Sequence, residues 1–466
     1  MSRRKSFLSL GILAVATACN PLVYGELIDQ APVRNFSLDA STSGNPYGHE
    51  TLRIPGDGRD GRILMLGDGI PIASDISVSP GYEVQGSYPN GMQLNDLFRP
   101  LMDLDTSTFG GIDVIPNQSG TTDLHALIGV TSSFDATSAR VLIANVDTWS
   151  RIAEPEADII APRINNNAIV GFGQDVQAIN LDGPQSDPAY EVAVGSAQGP
   201  VIFDALGANT ATYLQNRSDI LAGNGAAFDG DNLAQGFHFT LCDALSDYNR
   251  IGRGRVGPAG IPAFLVSAPN GISIVTDQDT TNQIGAPIYD CDADFLPNPG
   301  GATERFGEEL FVTDLNGDGR DDLFVGDPGI NTVYLYLGGA DGLPTNPSQT
   351  FNTPTSVNGI LDFGASIDRA DLGGGFGSAI VITAPESAVG GTSASGVVFV
   401  FRINDNGVIE ENAEPIELAD LEPEQNTRYG FWAGGIYNHE LGRDELMILG
   451  QSGGRLHTAI AGTDPG

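Results

Sequence analysis

Four oxygen-bearing side chains fall in register within one short stretch of the chain. Asp314, Asn316, Asp318 and Asp322 occupy positions 1, 3, 5 and 9 of the loop Asp314-Leu315-Asn316-Gly317-Asp318-Gly319-Arg320-Asp321-Asp322. Alternation turns the first three inward over a tight turn, and Gly317 and Gly319 permit the backbone angles that such a turn demands. The carbonyl of Arg320 supplies an oxygen at position 7, and Asp322 closes the set. Hard oxygen donors, several of them anionic, suit Ca²⁺, which takes about six to eight oxygens. An EF-hand would need a Glu at position 12, where Val325 stands. It would also need flanking helices, whereas Glu309 to Thr313 and Leu323 to Val325 read as strands. Without a metal the same residues make an Asx-rich hairpin. The loop is expected to hold one Ca²⁺ in a structural role, through Asp314, Asn316, Asp318, the Arg320 carbonyl and Asp322.

No other residues of the chain suggest catalysis. The five histidines are His49, His125, His238, His439 and His457. They have no metal-ligand spacing, no Gly-x-Ser-x-Gly elbow and no reactive Cys beside them. No Gly-rich phosphate loop precedes a helix. Abundant carboxylates will meet by chance, so they do not by themselves argue for a glycosidase. The 466 residues carry 22 Lys and Arg against 59 Asp and Glu, a formal charge of −37. That excludes a basic nucleic-acid binder and adhesion to anionic lipid surfaces, because phosphate binding needs clustered cations. Hydrophobic residues at 41% allow a sizeable core. The only Lys is Lys5, and a strongly acidic surface keeps a protein soluble and monomeric.

The loop sits inside a repeat. Phe306-Gly307, Asp314 and Gly326-Asp327-Pro328 align without a gap on Phe363-Gly364, Asp371 and Thr383-Ala384-Pro385. More diverged copies share an aromatic-Gly opening, a polar loop, an apolar strand and a Gly-rich turn before the next strand. They open at Tyr47-Gly48, Asn90-Gly91, Phe172-Gly173, Gly236-Phe237 and Tyr429-Gly430. Each copy offers three or four short strands bounded by Gly, Asp, Asn and Pro, with no sustained helical period. A small sheet of this size cannot bury both faces alone, so neighbours must stack. The expectation is an all-β, seven-bladed β-propeller over residues 35–466.

The fifth copy resembles an FG-GAP repeat, the repeat of the integrin alpha-subunit propeller and of many exported bacterial proteins. Asn35-Phe36-Ser37-Leu38-Asp39 is similar to the opening strand of integrin alpha chains. The resemblance implies that this strand completes the last blade and closes the ring. It also implies a binding or adhesion role without catalysis. Integrin-type ligand binding uses a second subunit as well, and no metal-dependent adhesion domain is inserted between copies two and three. Asp75-Ile76-Ser77-Val78-Ser79 matches the Asp-x-Ser-x-Ser string of such a domain, but it falls in an expected blade strand. The other copies depart from the metal loop. Copy six keeps only Asp371, with Gly373, Gly375 and Ala379 at the remaining positions. Copy seven offers Tyr437, His439 and Leu441. Copy three keeps Asn180 and Asp182, with Glu191 near the closing position, and leaves a second site open.

Residues 1–18 read as an export signal: Arg3, Arg4 and Lys5, then an apolar run from Phe7 to Ala18 too short for a membrane span. Ala16-Thr17-Ala18-Cys19 resembles a bacterial lipobox, with Ala16 in place of the usual Leu. Lipidation of Cys19 followed by a 19–34 linker is the reading adopted; plain secretion is the alternative. Ser2-Arg3-Arg4 also resembles a twin-arginine signal, although Phe7-Leu8 comes one residue late. The remaining pair, Cys242 and Cys291, suits a disulfide in an exported chain, but their expected places in the blade leave the bridge undecided. The sum is a non-enzymatic, calcium-stabilised, exported propeller that binds a protein or glycan, touching membrane only through a lipid anchor. A propeller enzyme with its site at the channel mouth and a structural envelope component are the alternatives.

Overall fold

The computed structural model describes strand segments between residues 34 and 87, and most of residues 107–145, 159–206, 239–276 and 294–459. The fold is all-β. Among the described residues, seven four-stranded antiparallel sheets form, with one two-stranded ribbon between Arg163–Ile164 and Asn167–Ala168. Each of the first six is a simple meander, and each is numbered here by its copy. Sheet five runs through Glu309–Thr313, Asp322–Asp327, Thr332–Tyr336 and Gln349–Asn352. Sheet six runs through Ile367–Asp371, Ser378–Ala384, Val397–Arg402 and Ile416–Ala419. Sheet seven takes Trp432–Asn438, Arg443–Leu449 and Arg455–Ala459, and its fourth strand is Arg34–Ser37 from the other end of the chain. Phe36 stands opposite Leu456 in that pairing, as the opening-strand expectation required. Asp75 to Ser79 lie within the strand Ala73–Ser79 of sheet one, the setting expected for that string.

The core lies between sheets, and strand alternation puts it there. In the second strand of sheet five, Leu323 and Val325 pack with Leu265, Ile272 and Phe306 on the side of sheet four. Phe324, between them, packs with Ile380, Ile382 and Phe399 of sheet six. A period of two therefore shares each strand between two neighbours. Fully burying one such side chain is worth about 1.5–3 kcal/mol, which explains why a lone sheet would not hold.

In copies three, five and six the aromatic-Gly opening locks its sheet to the one before. Phe172, Phe306 and Phe363 are completely buried in these inter-sheet clusters. The glycine N–H then donates to the second strand of its own sheet, from Gly307 to the Gly326 carbonyl at 2.8 Å and from Gly364 to that of Thr383 at 2.9 Å. Gly307 has φ +70, and a Cβ there would lie 2.3 Å from Cβ of Ser267 in sheet four. Only glycine meets both demands.

Two openings differ from the sequence expectation. In copy four the donor to the second strand is Asn249, bonded to the Ser267 carbonyl at 2.7 Å. Tyr248-Asn249 therefore takes the place assigned to Gly236-Phe237, which lies outside the described residues. Asn249 is not among the residues with positive φ, so glycine is dispensable there. In copy two the first strand, Ser107–Pro116, contains Phe109-Gly110, at the same distance from Gly129 as Phe306 from Gly326. Asn90-Gly91 lies outside the described residues.

Buried carboxylates stitch first strands together. Asp113 of sheet two accepts from the Ala178 N–H of sheet three and from the Arg253 guanidinium of sheet four, at 2.8 and 2.6 Å. Asp175 accepts from the Ile251 N–H of sheet four at 2.7 Å. Burial raises the Asp113 carboxyl, against the attraction of Arg253. Cys242 is disulfide-bonded, and its partner lies outside the described residues.

Candidate metal loop and inter-sheet cavity

The loop 314–322 joins the first two strands of sheet five, with Thr313 opposite Asp322. Asp314 takes the role of an Asx cap. Its Oδ1 accepts from the N–H groups of Gly317 and Asp318 at 2.7 and 3.1 Å, and its Oδ2 from Gly319 at 2.9 Å. Asn316 Oδ1 accepts from Asp318 N–H, and Asp318 Oδ1 from Arg320 N–H, each at 2.9 Å. Gly317 and Gly319 have φ of +74 and +83 with nothing near an added Cβ, so conformation alone selects glycine there. Leu315 turns the other way into the core.

Asp322 closes the loop from the strand. It is fully buried, and its two oxygens accept from Leu315 N–H at 2.8 Å and from Gly338 N–H at 2.7 Å. Burial, aided by the charges of Asp318 and Asp314, pushes its carboxyl up to about 6 despite those two donors. Arg320 lies 3.7 Å from Asp318, too loose a pair to neutralise the loop. The donor set is all oxygen and mostly anionic, which fits a hard cation. The side chains bond to the loop backbone, and among the described residues no three acidic, His or Cys side chains gather around one point.

The FG-GAP repeat model matches residues 306–336, which span the opening, this loop and the third strand. The chain carries an FG-GAP repeat, and part of it is similar to integrin alpha subunits. Integrin alpha-PS3 of Drosophila melanogaster is 33% identical over 111 residues, covering 22% of this chain and 10% of that protein. Phosphatidylinositol-glycan-specific phospholipase D of Mus musculus is 27% identical over 188 residues, 36% of this chain and 21% of the relative. This chain thus spans at most 21% of the length of these two curated relatives. The solved β-propeller domain of Myceliophteria thermophila Cps50 (Swd1) aligns over 92% of this chain and 99% of its own, with TM-score 0.43 and 10% identity.

Beside the FG-GAP repeat at 306–336, copy three builds the same closure. Glu191 Oε2 accepts from Leu181 N–H at 2.6 Å, as Asp322 does from Leu315, and Leu181 is likewise buried. Asp182 lies outside the described residues. In copy six, Leu372 N–H is bonded to the Gly377 carbonyl at 3.0 Å, so backbone replaces the carboxylate. His125 stands in the second strand of sheet two, while His49, His238 and His439 lie outside the described residues, as do 1–18 and Cys19.

A second feature was not legible in the sequence. A cavity of about 490 Å³ opens where copies four to seven bring their aromatic-Gly openings together. The residues immediately before the dipeptide, Arg305, Asp362 and Arg428, line it. So do residues following it, including Glu308, Ser366, Phe431 and Trp432. Arg305 holds Glu308 through two contacts at 2.9 Å and Asp362 at 2.6 Å. Arg428 holds Glu386 at 2.6 Å. The signal was the position next to each Phe-Gly or Tyr-Gly, which the repeat brings to one end of the sheets.

Proposed function

We propose that this protein is a non-enzymatic binding propeller of the cell envelope that holds a protein or glycan at the mouth formed by its aromatic-Gly openings. Its seven sheets are the blades of one closed ring over 35–466. Contacts between the first strands of successive sheets, and between Trp432–Asn438 and the strands of sheet one, support that closure. Ca²⁺ in the loop 314–322 stabilises blade five, held by Asp314, Asn316, Asp318, Asp322 and the Arg320 carbonyl. The ion offsets the mutual repulsion of the three carboxylates. Residues 1–18 direct export, and lipidated Cys19 tethers the ring.

The observation that carries the binding reading is the pairing at the mouth. Catalytic carboxylates are set against each other or against a proton-transfer partner. Here Glu308 and Asp362 engage Arg305, and Glu386 engages Arg428. Such ion pairs suit recognition by fixed donors and acceptors. The named activity of the phospholipase D relative belongs to a protein of which this chain covers about a fifth.

The test uses the mature chain immobilised in Ca²⁺, challenged with envelope proteins and glycans, alongside a panel of hydrolase substrates. Stoichiometric retention without turnover is the expected result. Turnover that is abolished by Glu308→Gln or Glu386→Gln would make the protein an enzyme. Intact mass of the native amino terminus decides the anchor, since a Cys19 without acyl mass reduces it to secretion.

A further inference from the structure

The charge balance at the mouth points to a ligand class. The chain as a whole carries 22 basic against 59 acidic residues. Around this cavity the balance is nearly even. Among the described residues its arginines are Arg250, Arg305 and Arg428, and its carboxylates are Glu308, Glu309, Asp362 and Glu386. A site for a cationic ligand would need no arginines on so acidic a protein. A site for an anion would not tie Arg305 and Arg428 to carboxylates. From this we infer that the cavity binds a neutral saccharide, an inference that rests on the binding reading above and names its ligand.

The chemistry of the lining fits that choice. A sugar hydroxyl is at once donor and acceptor, and adjacent hydroxyls can bridge a guanidinium N–H and a carboxylate oxygen. The Arg305 and Arg428 pairs present such edges already fixed in orientation. Arg305 is held at two sides, by Glu308 and by Asp362, so little side-chain entropy remains to be lost on binding. Ser366, one of the lining residues, is 4% exposed, and its buried Oγ has no hydrogen-bond partner. Phe431 and the largely buried Trp432 add apolar lining, as the C–H face of a pyranose requires. The volume is within the range of about 300–1,000 Å³ usual for small-molecule sites.

The experiment uses the mature chain in Ca²⁺ against immobilised mannan, galactan and glucan, with alginate and chitosan as charged controls. At least one neutral polymer should retain the protein, resist added salt and release it to the free monosaccharide. The chain has two tryptophans, Trp149 and Trp432. In a Trp149→Phe background the same monosaccharide should shift the emission of Trp432. Arg428→Gln and Glu386→Gln should each weaken retention by about tenfold or more, the loss expected when a hydrogen bond to a charged group is removed. Each variant is checked by its melting temperature in Ca²⁺. Retention only by a charged polymer, or neutral retention unchanged in both folded variants, would overturn the inference. If no polysaccharide binds while envelope proteins do, the saccharide assignment fails and the binding reading stands. If nothing binds, both fall.

Discussion

The loops at 314–322 and 371–378 occupy the same place in consecutive sheets and are closed by different chemistry. In sheet five the N–H of Leu315 is met by the Asp322 carboxylate, and Asp314 caps the turn. In sheet six the N–H of Leu372 is met by the Gly377 carbonyl, and Gly377 N–H returns to the Gly373 carbonyl at 3.1 Å. Both carry an arginine from the next sheet. Arg369 donates to the Asp314 carbonyl, and Arg443 to that of Leu372, each at 3.1 Å. Among the described residues of the sheet-six loop, backbone and glycine therefore make the closing bonds. Carboxylates at positions 5 and 9 are not needed for the turn itself, and in sheet five they add repulsion. That contrast is the physical argument for a cation in sheet five and none in sheet six.

The sharpest break in the comparison is Asp322→Ala. It removes the acceptor of two N–H groups in a fully buried position, and each orphaned donor costs about 1–3 kcal/mol. Urea denaturation in chelator should show a loss of roughly 2–4 kcal/mol. A loss well under 1 kcal/mol would mean that the loop closes on backbone alone, as in sheet six, where Ala379 is also buried.

Next comes the ion. Binding to the folded state alone adds about 2.7 kcal/mol when Ca²⁺ is a hundredfold above Kd. The melting temperature should therefore fall on chelation. Asp318→Ala should abolish that response while leaving the metal-free protein no less stable than the metal-free wild type. Identical melting of the wild type in excess Ca²⁺ and in chelator would reduce the loop to a polar hairpin.

The third effect is a pH slope. Asp322 has a folded pKa of about 6, above its ordinary 3.8. Its contribution is fully present below about pH 3.8 and is lost as pH rises through 6, because the folded state holds the proton more tightly. In chelator, stability from this group should decline across that window. In excess Ca²⁺ the decline should disappear, since the ion favours the charged carboxylate. A slope equal in both conditions would separate Asp322 from any metal.

What could be read from the sequence was what is local in it. The alternation at 314–322 and the Phe-Gly openings of copies five and six stand within short windows, and the structure keeps them in register. The opening of copy four was misplaced because Asn249 does the hydrogen bonding of a glycine without the positive φ that marks one. The mouth was invisible for another reason. Arg305, Asp362 and Arg428 meet through the stacking of sheets, and no single window contains more than one of them. The Asp322 environment was half legible: its place at position 9 of the loop was clear, but its bond to Gly338 comes from the far side of the third strand.

The smallest expected effect bears most directly on the comparison. Asp371 is the one loop carboxylate that copy six retains, at the position of Asp314. Its side chain is exposed, whereas its backbone N–H donates to Asp444 of sheet seven at 2.8 Å. Asp371→Asn keeps that backbone bond and the side-chain shape and removes only the charge. Stability should change by less than about 0.5 kcal/mol, the usual range for surface substitutions. The Ca²⁺ dependence of melting should match the wild type. A change in that dependence would mean that copy six also binds the ion, with backbone carbonyls replacing its missing carboxylates. The contrast between the two loops would then be one of affinity, and glycine at positions 3 and 5 would no longer identify a metal-free repeat.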